Sequence, residues 1–157
     1  MSNQPQRPTD DNRDAWNAYW TAQGLPWRTE PEINPERRAY LTERRAVTPD
    51  IENGIYPYRD ENGSIKLDRA DVEWLLATHE SARYPANSQK VNLHIRQGLD
   101  LRGADLHNVN LGRLPLAFVR GGLDSGAWFD ASDEQRDTAS VHLEGADLQR
   151  ADLELST

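Results

Sequence analysis

Apolar side chains recur at helical spacing in three segments of the N-terminal half. In the first segment Trp16, Tyr19 and Trp20 fall at positions i, i+3 and i+4, so their rings share one face of a predicted helix. Asp11 or Asp14 is the expected N-cap, because a carboxylate at that position accepts a hydrogen bond from a backbone N–H that the helix leaves free. The pattern predicts a short helix with an aromatic inner face.

A second helix is predicted from Pro35, with Asn34 as its N-cap, because proline is favoured at the first helical position. The outer face of this helix is rich in arginine. Two interpretations remain open: a solvated face paired with Glu36 and Glu43, or a docking patch for an acidic partner. The arginines concerned are Arg37, Arg38, Arg44 and Arg45.

The third helical segment follows a predicted hairpin. Residues 61–63 carry a Glu-Asn-Gly turn signal between two short extended segments. Asp68 then caps a helix that runs from Arg69 to about Glu80 and whose apolar residues share one face. The N-terminal half is therefore predicted to be mainly α-helical.

From Leu99 onwards the apolar positions follow a period of five residues, which resumes at Val141 after an interruption. Neither an α-helix, with a period of 3.6, nor a strand, with a period of 2, produces this spacing. A chain that turns a corner once per pentad would direct the leucine at the third position of every pentad into a narrow core. The leucines predicted to form this core are Leu101, Leu106, Leu111, Leu116, Leu143, Leu148 and Leu153.

Three of the pentads begin Ala-Asp-Leu, at residues 104–106, 146–148 and 151–153. They resemble the pentapeptide-repeat family, whose pattern is Ala-(Asp/Asn)-Leu-X-X. The resemblance covers residues 99–118 and 141–155 and implies a right-handed quadrilateral β-helix with four pentads to a coil. The implied fold class is α+β, in which a small helical N-terminal domain caps a short pentapeptide-repeat β-helix with a helical insertion.

The domain organisation that follows has three parts. Residues 1–13 are predicted to be a disordered tail, because they are polar and show no periodicity. Residues 14–90 form the helical domain, and residues 91–157 form the short β-helix, interrupted by an insertion at 119–140.

The insertion carries its own signals. Asp130 or Ser132 is the expected N-cap of a short helix that reaches Ser140. Trp128 and Phe129 are expected to pack the insertion against the body of the protein. Trp128 is also a candidate interaction residue, because tryptophan is a common anchor in protein interfaces.

The second repeat block ends near Leu153 without a capping signal in the sequence. A coil in a stacked array is buried on both sides only when it has a neighbour on each side, so the terminal coils need caps. Three explanations stay open: another subunit covers the coil, the chain is a fragment of a longer repeat protein, or it is a naturally short member of the family. We favour a homo-oligomer that forms through this open C-terminal coil.

Composition narrows the expected partners. The net charge is −8 with a pI of about 5.0, whereas phosphate binding needs clustered Lys and Arg, so no direct contact with nucleic acid is expected. The chain has no cysteine, which excludes disulfides and thiolate sites. It has no apolar run long enough to cross a bilayer and no apolar leader, so we expect a cytoplasmic protein without a membrane partner.

The sequence offers little catalytic chemistry. The histidines His79, His94, His107 and His142 lack the spacing of a zinc site and are expected to be surface or partly packed residues. No nucleophile elbow and no phosphate-binding loop are present. We therefore expect no enzymatic activity, no cofactor and no metal.

Two functions remain. The first is a non-enzymatic protein–protein interaction or assembly module with a protein partner of unknown identity. The alternative, implied by the resemblance, is an acidic DNA-mimic modulator of a type II topoisomerase. Fewer than two coils, at a rise of about 4.8 Å each, span only roughly 10 Å, which matches about three base pairs. A single chain is therefore a short mimic, and the assembly module is preferred.

Overall fold

The computed structural model describes residues 6–79, 99–117 and 119–153. The described chain combines α-helices with a small two-stranded antiparallel sheet, in agreement with the α+β class. The helices are α1 (Arg13–Ala22), α2 (Pro35–Arg45), α3 (Arg69–Thr78), α4 (Ser125–Asp130) and α5 (Asp133–Ala139), and the strands are β1 (Arg59–Asp60) and β2 (Gly63–Ser64). None of the described helices is both long and apolar enough to cross a bilayer.

The N-cap of helix α1 is neither of the two predicted residues. The residue before the helix is Asn12, whose side-chain oxygen accepts a hydrogen bond from the backbone N–H of Ala15 at 3.1 Å. The prediction of Asp11 or Asp14 as N-cap is wrong because Asn12 has the extended backbone conformation that a cap requires. Asp14 lies instead in the first turn of the helix.

Helices α2 and α3 begin where their capping residues predict. Asn34 accepts a hydrogen bond from the backbone N–H of Arg37 at 2.7 Å, and Pro35 occupies the first turn of α2. Asp68 and Asp71 form a reciprocal capping box at the start of α3. Glu80, the predicted last residue of α3, lies outside the described residues, as do His94 and the predicted domain boundary between residues 90 and 91.

The first repeat block (residues 99–117) and the second repeat block (residues 141–153) pair in parallel, in steps of five residues. Leu106 donates its backbone N–H to the carbonyl of His142, and His142 donates to the carbonyl of Ala104, both at 2.8 Å. A turn follows each paired position, so the direction of the chain changes at every step. The paired positions are Asp105 with His142, Asn110 with Asp147, and Pro115 with Asp152.

The other side of the first repeat block is covered by the segment that follows β2. Asp105 donates its backbone N–H to the carbonyl of Ile65 at 2.9 Å and accepts a hydrogen bond from Leu67 at 3.0 Å. The first block therefore lies between the N-terminal residues and the second block.

This position explains the burial of the repeat leucines. Leu101, Leu106, Leu111 and Leu116 are buried and belong to one core cluster that also contains Leu41 of α2 and Val72 and Leu75 of α3. In the second block Leu148 is only partly buried. Leu143 and Leu153, which the five-residue period assigns to the core, are 38% and 42% exposed. The prediction fails for these two because no described segment covers the outer side of the second block.

The insertion contains two short helices, one more than predicted. Ser132 caps α5, as one of the two predicted alternatives, whereas Asp130 is the last residue of α4. The insertion packs on the body through a small second core that contains Leu123, Ala139 and Tyr56.

Candidate interaction surfaces

The outer side of the second repeat block presents unpaired backbone groups, and we call this side the open edge. In the first block the N–H groups of Leu106 and Leu111 donate to the carbonyls of His142 and Asp147 at 2.8 and 2.7 Å. Leu143 and Leu148 occupy the equivalent positions of the second block. Their N–H groups have no acceptor in the part of the chain that the structure describes.

The same edge exposes apolar side chains. Leu143 and Leu153 are the exposed members, and Val141, Ala146, Leu148 and Ala151 are partly buried against the main core. A row of unpaired N–H groups beside apolar side chains is the usual template for the addition of another strand.

Charged residues surround the open edge. Glu144 and Arg150 lie on successive turns, and Asp147 lies between them on the outer face. His142 Nδ1 lies 3.5 Å from the Glu144 carboxylate. The backbone N–H of Glu144 and the His142 imidazole both hold the pKa of the Glu144 carboxyl below its usual value.

A cluster of polar side chains lies between the two repeat blocks. These side chains line part of an open cleft of about 620 Å³ and belong to Asp105, His107, His142 and Glu144. His107 Nδ1 lies 2.5 Å from Asp105 Oδ1, and Lys66 donates to the carbonyl of His107 at 2.6 Å. Burial would raise the pKa of Asp105, but hydrogen bonds from His107 and the positive charge of the nearby Lys66 lower that pKa overall. Among the described residues no group of three His, Asp or Glu side chains is arranged to hold a metal ion.

Three of the four arginines of α2 fit neither interpretation derived from the sequence. Arg37 forms a bidentate pair with Asp71 at 2.9 and 3.0 Å. Arg45 donates to Thr78 at 2.7 Å and lies over the ring of Trp74. These contacts join α2 to α3.

Arg44 donates to three backbone carbonyls at 2.7 to 3.0 Å, those of Tyr56 and Pro57 in the loop before β1 and that of Arg59, the first residue of β1. Arg37, Arg44 and Arg45 therefore fix α2 to α3 and to the segment around β1, and their donors are used within the protein and not for docking. Arg38 is partly exposed on the same helix. For the other three arginines the prediction failed because helical spacing shows which residues share a face but not what packs on that face.

Trp128 and Phe129 do not pack the insertion against the body, contrary to prediction. They are 46% and 76% exposed, and their rings meet edge to face with centroids 5.7 Å apart. The contact with the body is made by smaller residues, Leu123 and Ala139, against Tyr56. The aromatic pair is thus an exposed apolar surface.

Sequence reasoning missed a buried polar network centred on Glu73. This carboxylate accepts hydrogen bonds from the backbone N–H groups of Thr29 and Glu30 and from Arg69, at 2.8 to 3.1 Å. Arg69 also donates to the carbonyls of Asn110 and Gly112 in the first repeat block. Burial raises the pKa of Glu73 in spite of these donors. The only signal in the sequence was the spacing of four between Arg69 and Glu73.

Comparisons of the chain with protein-family models, with curated proteins and with solved structures found no match. The arguments about function therefore depend on the geometry of the chain itself.

Proposed function

We propose that the two repeat blocks form a short right-handed pentapeptide-repeat β-helix, and that the protein is a non-enzymatic assembly module. The parallel pairing in steps of five residues supports the first part, together with the buried leucines of the first block. The open edge supports the second part, because it combines unpaired N–H groups with half-exposed leucines. Its proposed partner is a second copy of the chain.

The arrangement of the open edge suits a two-fold axis that passes through Asp147. Asp147 is the second residue of its pentad and its paired residue, with inward-facing Ala146 and Leu148 on either side. Rotation about this axis opposes Leu148 of one copy to Ala146 of the other. The N–H of Leu148 then faces the carbonyl of Ala146, which is the pairing of an antiparallel ladder.

The neighbouring pentads complement each other in the same rotation. Leu143 of one copy meets Ala151 of the other, and Leu153 meets Val141, so large side chains oppose smaller ones. A two-fold interface is isologous, so each of these contacts occurs twice.

The charges also agree with this register. Glu144 of one copy faces Arg150 of the other, and His142 faces Asp152. Both are pairs of opposite sign when the histidine is protonated. Only Asp147 meets a like charge, its own symmetry mate on the axis. Electrostatic complementarity of this kind fixes the register of an interface more than it adds affinity.

Sedimentation equilibrium of charge-exchange variants tests the proposal. The wild-type chain is expected to form dimers, and Arg150→Glu is expected to weaken them by roughly tenfold, because two attractive pairs become repulsive. Glu144→Arg has the same expected effect. The double variant Glu144→Arg with Arg150→Glu restores opposite charges and is expected to recover dimerisation. Phe129→Ser, which changes an exposed apolar residue on the insertion, is the matched control and leaves the association unchanged.

Two results would reject self-association: a wild-type chain that stays monomeric at all accessible concentrations, or a double variant as weak as the single ones.

The alternative function, an acidic DNA-mimic modulator of a type II topoisomerase, receives less support. Asp100 pairs with Arg102 at 2.7 Å and Asp105 contacts His107, so two carboxylates of the first block already have partners within the chain. A strictly monomeric chain that inhibits gyrase would reverse this preference.

A further inference from the structure

The insertion presents the largest exposed aromatic surface in the described chain. Phe129 is 76% exposed and meets Trp128 edge to face at an interplanar angle of 87°. Both belong to α4, and neither is a member of the small core that attaches the insertion to the body. Exposed apolar patches on soluble proteins often mark interaction sites.

The aromatic pair is held in position by its own neighbours. Arg136 of α5 lies 3.8 Å above the Trp128 ring and donates to the Trp128 carbonyl at 2.8 Å. It also pairs with Asp133 at 3.2 Å, which fixes its guanidinium. An anchor that is already ordered loses less conformational freedom when a partner binds, so its contacts contribute more fully to affinity.

The surroundings of the pair are strongly acidic. The segment from residue 124 to residue 137 carries five exposed carboxylates, and Arg136 is its single cation. The carboxylates belong to Asp124, Asp130, Asp133, Glu134 and Asp137. An apolar centre with a rim of one charge sign selects partners with an apolar centre and a rim of the opposite sign.

We propose that the face formed by α4 and α5 is a second interaction surface, which binds a basic amphipathic protein segment. The apolar side chains of the partner cover Phe129 and Trp128, and its Lys or Arg residues face the surrounding carboxylates. A second copy of this chain does not supply such a segment from α2, because Arg37, Arg44 and Arg45 are held by internal contacts. An anionic membrane is repelled by the same carboxylates.

Fluorescence anisotropy with a defined probe tests this inference. The probe is a short labelled peptide of Leu and Lys in a helical amphipathic pattern, and its two controls replace every Lys by Glu or every Leu by Ser. Binding is expected for the Leu–Lys peptide alone, and it weakens as salt increases because the rim pairs are solvent-exposed. Equal binding of either control peptide would overturn the proposal, as would no binding of the Leu–Lys peptide.

Matched variants locate the surface. Phe129→Ser is expected to weaken binding roughly tenfold or more, since it removes the most exposed anchor. The double variant Glu134→Gln with Asp137→Asn is expected to reduce both the affinity and its dependence on salt. Arg150→Glu, at the open edge, leaves peptide binding unchanged. Peptide binding can therefore be absent while the chain still forms dimers, and dimers can be absent while the peptide still binds.

Circular dichroism verifies that each variant remains folded, which is expected because these side chains are exposed. Unchanged peptide affinity in Phe129→Ser would reject the proposed surface. Binding of the wild-type chain to vesicles of anionic phospholipid, lost in Phe129→Ser, would also overturn it, because the partner would then be a membrane and not a basic protein segment.

Discussion

Asp105 and His142 form a parallel β-bridge, although the whole insertion separates them in the chain. Each of the two also contacts the residue two positions further along the chain: the acid Asp105 contacts His107, and the histidine His142 contacts the acid Glu144. The bridge therefore stacks an acid–histidine pair on a histidine–acid pair. The order is acid then histidine in the first block and histidine then acid in the second, so two carboxylates are not stacked at this corner.

This arrangement predicts how Asp105 titrates. Its pKa is expected to lie below the usual value, because hydrogen bonds from His107 outweigh the effect of burial. His107→Ala is expected to raise that pKa, as followed by NMR of the side-chain carboxyl carbon. Since the folded-state pKa is the lower one, the interaction stabilises the fold at neutral pH. The stabilisation is lost as the pH falls through the lowered pKa. An Asp105 pKa that does not move in His107→Ala would contradict the assignment.

The proposed two-fold axis makes a prediction for Asp147. Its carboxylate faces its own symmetry mate, so Asp147→Asn removes a repulsion and is expected to strengthen dimerisation by roughly threefold to tenfold. Asp130→Asn, an equal change of charge on the insertion, is the control and leaves the dimer constant unchanged. Sedimentation equilibrium measures both. A weaker dimer in Asp147→Asn would show that the axis passes elsewhere.

Leucines at the same position of the pentad differ in their expected contribution to stability. Leu106 is fully buried, so Leu106→Ala is expected to lower the free energy of unfolding by about 3 kcal/mol. Leu153 is 42% exposed, so Leu153→Ala is expected to cost less than about 1 kcal/mol in the monomer. Urea denaturation at a concentration below that of dimer formation measures both. Equal losses would mean that the two blocks are equally buried.

The buried network around Glu73 predicts a large effect at Arg69. Arg69→Met leaves the carboxylate of Glu73 without its closest cation, at a cost of about 3 to 5 kcal/mol in the free energy of unfolding. Arg13 pairs with Glu30 at a similar distance, but its side chain is 72% exposed. Arg13→Met is therefore the control, with an expected loss below about 1 kcal/mol by thermal or urea unfolding. Similar losses in the two variants would argue that Arg69 contributes little to the core.

Removal of the buried hydroxyl of Tyr58 is expected not to destabilise the protein. Its side chain is fully buried, burial raises the pKa of its phenol, and its hydroxyl has no hydrogen-bond partner within the described ranges. Tyr58→Phe keeps the ring and removes the unpaired hydroxyl, so the free energy of unfolding is expected to stay the same or rise by about 1 kcal/mol. A fall of more than about 1 kcal/mol in urea denaturation would show that the hydroxyl is bonded.

The features that the sequence predicts well are those that depend on near neighbours. Asn34 and Pro35 specify the start of α2 within one turn, and the period of five residues from Leu99 specifies which leucines of the first block face inward. Burial in the second block could not be predicted, because it depends on what covers Leu143 and Leu153 from outside.

Contacts between distant residues also escaped prediction. Arg44 bonds to the loop before β1, and Glu73 bonds to Thr29, although no local pattern in the sequence relates these partners. Trp128 is exposed even though tryptophan is usually buried. Its environment follows from the way in which smaller residues attach the insertion, and helical spacing alone does not carry that information.

Val141 donates its backbone N–H to the carbonyl of Gly121 at 2.8 Å, so the two ends of the insertion meet. A segment that leaves and re-enters at one point can be exchanged for another without a change in the path of the host chain, although its removal would expose Tyr56. The repeat blocks could therefore carry other insertions. A short glycine-rich linker between Gly121 and Val141 would keep the stacked leucines and remove the exposed aromatic pair, Trp128 and Phe129.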